Sequence, residues 1–177
     1  ALPEGVCGAA AVWLRGRLYL TGGDLDGAFS KQVLCWNPAA GPGVGWQRTA
    51  DLLTGRRYHA GIALGGALYG LGGMGAEAQA LASVERYDPH QNTWVSVAPM
   101  TTARYGVAAA VLGGRIIAVG GFNEVNNLRS CERYDPGTAE WEALPDMPTA
   151  RRGPAVAVLG GRLWVTGGLG GATTVEV

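Results

Sequence analysis

Four Gly-Gly pairs, Gly22-Gly23, Gly72-Gly73, Gly120-Gly121 and Gly167-Gly168, each end an apolar run, and their starts are 50, 48 and 47 residues apart. Trp46, Trp94 and Trp141 precede Gly72, Gly120 and Gly167 by 26 residues each. A fixed interval between unlike residues marks a repeated structural unit. A period near fifty with this content predicts stacked β-sheet blades and excludes one irregular domain. The units run over residues 1–52, 53–100, 101–147 and 148–177, the last one incomplete.

The third unit shows the pattern most plainly. Residues 107–112 (VAAAVL) form a continuous apolar run, as a strand buried on both faces requires. Gly113-Gly114 supplies the positive φ angles of a two-residue hairpin turn, and residues 115–119 (RIIAV) return. Residues 130–134 and 140–144 alternate polar and apolar, with a Asp-Pro-Gly turn between them. Four short antiparallel strands make one blade. Small residues on the first strand predict that it lies innermost, where blades converge. The columns Tyr19, Tyr69, Ile117, Trp164, then Trp36, Tyr87, Tyr134, then Trp46, Trp94, Trp141 fill the widening space between blades. Each aromatic buries on the order of 150–250 Å², so this content reads as core and not as a stacking surface for bases or sugars. Unit one has a longer outer turn, residues 37–46.

Composition narrows the function. The chain has 177 residues, 47% of them hydrophobic, which argues against disorder. Its 14 basic and 14 acidic residues cancel, so nothing draws a polyanion over a distance and nucleic acid is not an expected partner. Cys7, Cys35 and Cys131 have no CxxC spacing and predict reduced thiols, hence a cytosolic or nuclear setting. The longest apolar stretch, residues 106–121, is broken by Gly113-Gly114 and Arg115 and is too short for a spanning helix, so no membrane role is expected.

Taken together, the double glycine, the phrases VERYDP and CERYDP, and a Trp seven residues after each of those tyrosines resemble the Kelch repeat. Unit one departs from it, with Trp36-Asn37-Pro38 in place of Tyr-Asp-Pro and Val6 where the other units have arginine. The resemblance implies an all-β Kelch-type β-propeller of about four blades. Because such propellers usually have six blades, it also implies that these four belong to a larger ring; closure of four blades with a three-stranded last member is the alternative. The second half is most similar to the Kelch domains of BTB-Kelch proteins. In that group the propeller recruits substrates to a cullin-type ubiquitin ligase through a BTB region, which this chain does not contain.

Catalytic motifs are missing. His59 and His90 fall at opposite ends of their blade, and no HExxH, GxSxG or phosphate-loop spacing occurs. The glycine-rich GLGGMG precedes no helix. No catalytic residue, metal site or cofactor is expected. Glu85, Glu132 and Glu176 form a carboxylate column, which its repetition marks as structural. Arg56, Arg104 and Arg151 form a second column at the entrance to the inner strands. One reading ties blades together with these arginines; the other exposes them around the channel mouth, their forks presented to carboxylates or phosphates. The resemblance places this column on the substrate-binding face with Tyr105, Asp24, Met74, Phe122 and Asn123. The expected function is a protein-binding module that recognises substrate, an acidic or phosphorylated peptide or loop, for a ubiquitin ligase in the cytoplasm. The rivals are an actin-binding scaffold and a Kelch-fold enzyme acting on a sugar or alcohol.

Overall fold

The computed structural model describes residues 2, 5–41, 43–170 and, for the backbone alone, 175–176. Unit one supplies β1 (Ala10–Leu14), β2 (Arg17–Thr21), a small hairpin of β3 (Asp24–Leu25) and β4 (Ala28–Phe29), then β5 (Val33–Trp36) and β6 (Gln47–Arg48). The second sheet contains β7 (Ala60–Leu64), β8 (Ala67–Leu71), β9 (Val84–Asp88) and β10 (Thr93–Val97). The third contains β11 (Ala108–Leu112), β12 (Arg115–Val119), β13 (Cys131–Asp135) and β14 (Glu140–Leu144). The fourth has β15 (Ala155–Leu159), β16 (Arg162–Thr166) and β17 (Val175–Glu176). Each sheet is an antiparallel meander, β1-β2-β5-β6, β7-β8-β9-β10, β11-β12-β13-β14 and β15-β16-β17. This is the blade read from the third unit, shifted by one residue at the start of β11 and at both ends of β13.

The inner strands β1, β7, β11 and β15 pack in that order, each on the next. Small side chains make the approach possible: a Cβ added at Gly61 of β7 would meet Val12 and Ala10 of β1. At the inner hairpin, Gly113 and Gly114 have φ of +59° and +75°, which the two-residue turn demands. The outer turn of unit three is closed by Asp135, whose Oδ1 accepts from Gly137 N at 2.8 Å. Unit one instead uses a 3-10 turn, Pro38–Ala40, capped by Asn37.

The core is a series of seams between neighbouring sheets. In the first seam Val12, Leu14, Tyr19, Leu52, Leu68 and Tyr87 are buried together; in the second, Tyr69, Leu71, Met100, Val107, Ile116 and Tyr134. Tyr87 meets Tyr19 edge-on at 5.8 Å between ring centroids, and Tyr134 meets Tyr69 at 6.1 Å. Trp94 and Trp141 lie over those outer tyrosines and donate their indole N–H to the carbonyls of Ala50 and Ala98, at 3.0 and 2.8 Å. Trp94 and Trp141 therefore each lock onto the connector of the preceding unit. Trp46 lies just before the two-residue β6 and packs at 6.3 Å against Trp36. Trp164 departs from the expected column: it is 37% exposed, because no further sheet covers it among the described residues. Cys7, Cys35 and Cys131 are free thiols. No helix of the described residues is long and apolar enough to cross a membrane.

Candidate partner-binding face

The loops after the double glycines and the connectors into the inner strands share one end of the blades. The arginine column sits here, but not at the surface. Arg56, Arg104 and Arg151 are 0% exposed, which corrects the expectation of forks open to solvent. Arg104 donates to the carbonyls of Gly120 at 2.8 Å and Ser130 at 2.9 Å, to Ser130 Oγ at 3.0 Å, and to Glu132 at 2.5 Å. Arg56 repeats this set with Gly72, Ser83 and Glu85. Burial pulls the Arg56 guanidinium below its ordinary value, and the Glu85 carboxylate opposes that. Glu132 in turn accepts from Thr101 N and Thr102 N, and Glu85 from Leu53 N and Thr54 N. Arg151 donates to the carbonyl of Gly167 at 2.8 Å. The carboxylate column is structural at Glu85 and Glu132, while the Glu176 side chain lies outside the described residues.

The double glycine and the arginine belong to one joint. The backbone carbonyls of Arg56, Arg104 and Arg151 accept from Gly23 N, Gly73 N and Gly121 N of the preceding unit, at 2.8, 2.9 and 2.8 Å. A Cβ on Gly22 or Gly120 would stand 2.5 Å from the Arg56 or Arg151 carbonyl oxygen, and one on Gly72 closer still to that of Arg104. Each arginine thus holds its own blade with its side chain and the previous blade with its backbone. At Gly167 an added Cβ would meet nothing within 4 Å among the described residues, so they form no such joint there.

The residues following each arginine form the actual rim. Gly8, Tyr58, Gly106 and Gly153 are equivalent, and all are left-handed, with φ of +67°, +54°, +59° and +65°. Each N–H donates to the carbonyl of the preceding unit: Tyr58 to Gly8 at 2.8 Å, Gly106 to Tyr58 at 2.8 Å, Gly153 to Gly106 at 2.7 Å. This chain of bonds fixes the conformation at every position, whatever residue occupies it. Tyr58 is the exception in a glycine column. A bulky side chain there is strained by roughly 1–2 kcal/mol, and its ring is 39% exposed.

Two cations flank it. Arg57 pairs with Asp24 and lies 4.8 Å from the centroid of the Phe29 ring and 5.3 Å from that of Tyr58. Arg152 lies 4.8 Å from the Tyr105 centroid and 5.1 Å from that of Phe122, and those two rings meet edge-on at 5.4 Å. Stacked in this way, each guanidinium is positioned without losing its outward edge. Tyr58, Tyr105, Gly106, Arg152, Gly153 and Leu169 enclose an open groove of about 420 Å³.

Of the loop residues expected at this face, Tyr105 and Phe122 sit beneath Arg152. Asp24 is bound to Arg57. Met74 is buried, its sulfur 3.6 Å from an Arg57 nitrogen, and so supports the face from below. Asn123 Oδ1 accepts from Val125 N and Asn126 N and shapes its own loop. The sequence reading missed Arg57, Tyr58 and Arg152. The signal was available in the column Gly8, Tyr58, Gly106, Gly153, where one unit replaces glycine with an aromatic residue. His59 is buried, bonded through Nε2 to Thr21 Oγ1 at 2.8 Å, whereas His90 meets Arg15 at the far end of the blades. The described residues hold no cluster of His, Cys, Asp and Glu suited to a metal ion.

Residues 6–176 match the family described as the KLHDC2/KLHL20/DRC7 Kelch-repeats domain. The chain belongs to the Kelch-repeat family. Kelch-like protein 35 of Mus musculus is 43% identical over 112 residues, 63% of this chain and 18% of that protein. Kelch-like protein 36 of Rattus norvegicus is 30% identical over 129 residues, 69% of this chain and 21% of that protein. The Kelch chain therefore spans about a fifth of these curated relatives. The solved structure of YjhT superposes with a TM-score of 0.80 over 94% of this chain and 59% of that one, at 18% identity, which establishes the propeller fold alone. A Kelch-repeat domain of this kind is a protein-interaction module.

Proposed function

We propose that this Kelch segment recognises an acidic or phosphorylated peptide or loop at the Tyr58–Arg152 groove, as the substrate-binding part of a cullin-type ubiquitin-ligase adaptor in the cytoplasm. The observation that carries the reading is Tyr58. A blade needs only glycine at this position, and an exposed tyrosine held against its own backbone preference has its use in what it contacts. Arg57 and Arg152, stacked on rings beside it, supply planar donors for carboxylate or phosphate oxygens. A rigid rim loses little conformational freedom when a ligand docks. The ligase role draws on the likeness to Kelch-like proteins 35 and 36, and no metal or cofactor enters this reading.

Fluorescence anisotropy with acidic, phosphorylated and neutral peptide libraries tests it, run beside thermal melts. Tyr58→Gly is expected to hold or raise the melting temperature while weakening capture of the acidic or phosphorylated peptides about tenfold or more. Arg152→Ala is expected to weaken capture similarly. If both variants bind every library as the parent does, the groove is not the binding site. Co-precipitation of a cullin with the longer polypeptide that carries these repeats tests the ligase role; its absence would remove that part and leave the groove intact.

A further inference from the structure

Arg15 and His90, 75 residues apart in sequence, meet through Arg15 Nη1 and His90 Nε2 at the end of the blades away from the Tyr58 groove. Each is the exception in its column. Arg15 opens the inner hairpin turn that Gly65, Gly113 and Gly160 open in the other units, and it keeps their left-handed backbone, with φ of +50° against +59°, +59° and +60°. A side chain at that angle is strained, so the turn itself gives no reason for an arginine. His90 stands where the outer turn of unit three has Gly137. The turn is otherwise the same: Oδ1 of Asp88 or Asp135 accepts from the N–H of His90 or Gly137 at 2.8 Å.

The neighbouring blade leaves room for the arginine. A Cβ on Gly66 would stand 2.5 Å from Arg15 Nη2, so the guanidinium lies across the bare turn of the second unit. At the equivalent Gly114 nothing among the described residues comes within 4 Å. Both Arg15 and His90 are exposed. Their pairing departs from the way this chain closes its ion pairs. Arg48, Arg56, Arg57, Arg104, Arg115 and Arg133 each meet a carboxylate, whereas Arg15 meets an imidazole. Asp88, on the same turn as His90, is folded back onto the N–H groups of His90 and Gln91 and also feels Arg86. Neutral His90 accepts from Arg15 through Nε2. With a proton on Nε2 both nitrogens are donors, and an oxygen placed between them accepts from each.

We propose that Arg15 and His90 form an oxyanion site, which takes a carboxylate or phosphate group of a ligand between the guanidinium and the protonated imidazole. The anion replaces Nε2 as the partner of Arg15, and its charge offsets the repulsion between two adjacent cations. Binding therefore takes up a proton, and affinity rises as pH falls through the histidine range. The charged groups facing His90 are Arg15 from the inner turn and Asp88 from its own turn; the Gly65-Gly66 turn carries none. The site is separate from the Tyr58 groove and does not depend on its function.

Nitrogen-15 NMR of the 177-residue chain tests it. Sulfate serves as the tetrahedral probe and acetate as the carboxylate probe, each titrated at about pH 6 and 8, on either side of the ordinary histidine pKa. Saturable shifts of the His90 ring nitrogens and Arg15 Nε are expected, with several-fold higher affinity at the lower pH. Saturation by one probe alone assigns the site to that class of anion. Arg15→Gly, which restores the residue of the other units, should remove saturation, and His90→Gln should remove the pH dependence. Thermal melts confirm that both variants fold. Failure of both probes to saturate would overturn the site, as would an Arg15→Gly chain that binds like the parent, equal affinity at the two pH values, or shifts spread equally over Arg17 and Arg115. A parent that binds neither anion, with an Arg15→Gly variant that melts lower, would make the pair a tie between blades and overturn the site as well.

Discussion

Replacing Arg104 with methionine removes one half of a buried ion pair and leaves the other half in place. Glu132 is 2% exposed, and after the change its carboxylate keeps only the N–H groups of Thr101 and Thr102, at 2.6 and 3.1 Å. The carbonyls of Gly120 and Ser130 lose a charged donor in the same step. Breaking a buried pair by deleting one partner costs about 3–5 kcal/mol, since the remaining charge is uncompensated. For a chain of this size that corresponds to a fall of about 6–20 °C in melting temperature. Lysine should not rescue it, because a single ammonium cannot reproduce a planar fork that meets Gly120, Ser130 and Glu132 together. Urea and thermal unfolding of Arg104→Met, Glu132→Gln and the double variant measure the effect. Neutralising Glu132 should recover on the order of 1–3 kcal/mol of the loss as coupling energy. A single variant within about 1 kcal/mol of the parent, on the scale of an exposed pair, would refute the structural role and return the arginines to the surface.

Gly120→Ala and Gly167→Ala should separate strain from collision. Both positions have positive φ, +59° and +68°, and share a strain of about 1–3 kcal/mol, but only Gly120 faces the Arg151 carbonyl, so its variant should melt several degrees lower in the same thermal scan. Trp94→Ala empties a buried seat and orphans the Ala50 carbonyl, and chemical denaturation should show a loss of about 3–5 kcal/mol. His59, buried and near Arg56, has its pKa pushed down to about 3. The unfolded chain takes up a proton below about pH 6.5 that the folded chain refuses, so stability falls as pH drops; the loss between pH 7 and 5 is about 2 kcal/mol. Urea midpoints measured across that range should flatten in His59→Gln.

The blade was legible because its constraints recur. A residue needed at each joint appears in each unit, and so the glycine, tyrosine and tryptophan columns could be aligned without any structure. The third sheet follows that reading to within one residue at every strand end. The same logic applied to arginine gave half an answer. Repetition of Arg56, Arg104 and Arg151 fits both a tie and a binding rim, and nothing in the one-dimensional pattern separates the two. Their burial depends on the paired carboxylate, which lies 28 or 29 residues away and meets the fork only after the meander forms. Glu85 and Glu132 recur 47 residues apart, close to the 48 between Arg56 and Arg104, but that recurrence alone does not bring the carboxylate to the fork.

Binding surfaces follow the opposite rule. A structural position tolerates little variation from unit to unit, whereas a surface for one partner has no reason to repeat. The informative residues at this face are therefore those that break a column. Tyr58 breaks the left-handed glycine column; Cys7, Arg57, Tyr105 and Arg152 fill one position with three chemistries, bridging in turn to Asp24, Met74, Phe122 and Leu169. The backbone bridge is the same in all four units, so the fold does not choose these side chains. What remains to choose them is contact with something outside the blade, and the most strained of the set, Tyr58, is where that contact should be sought first.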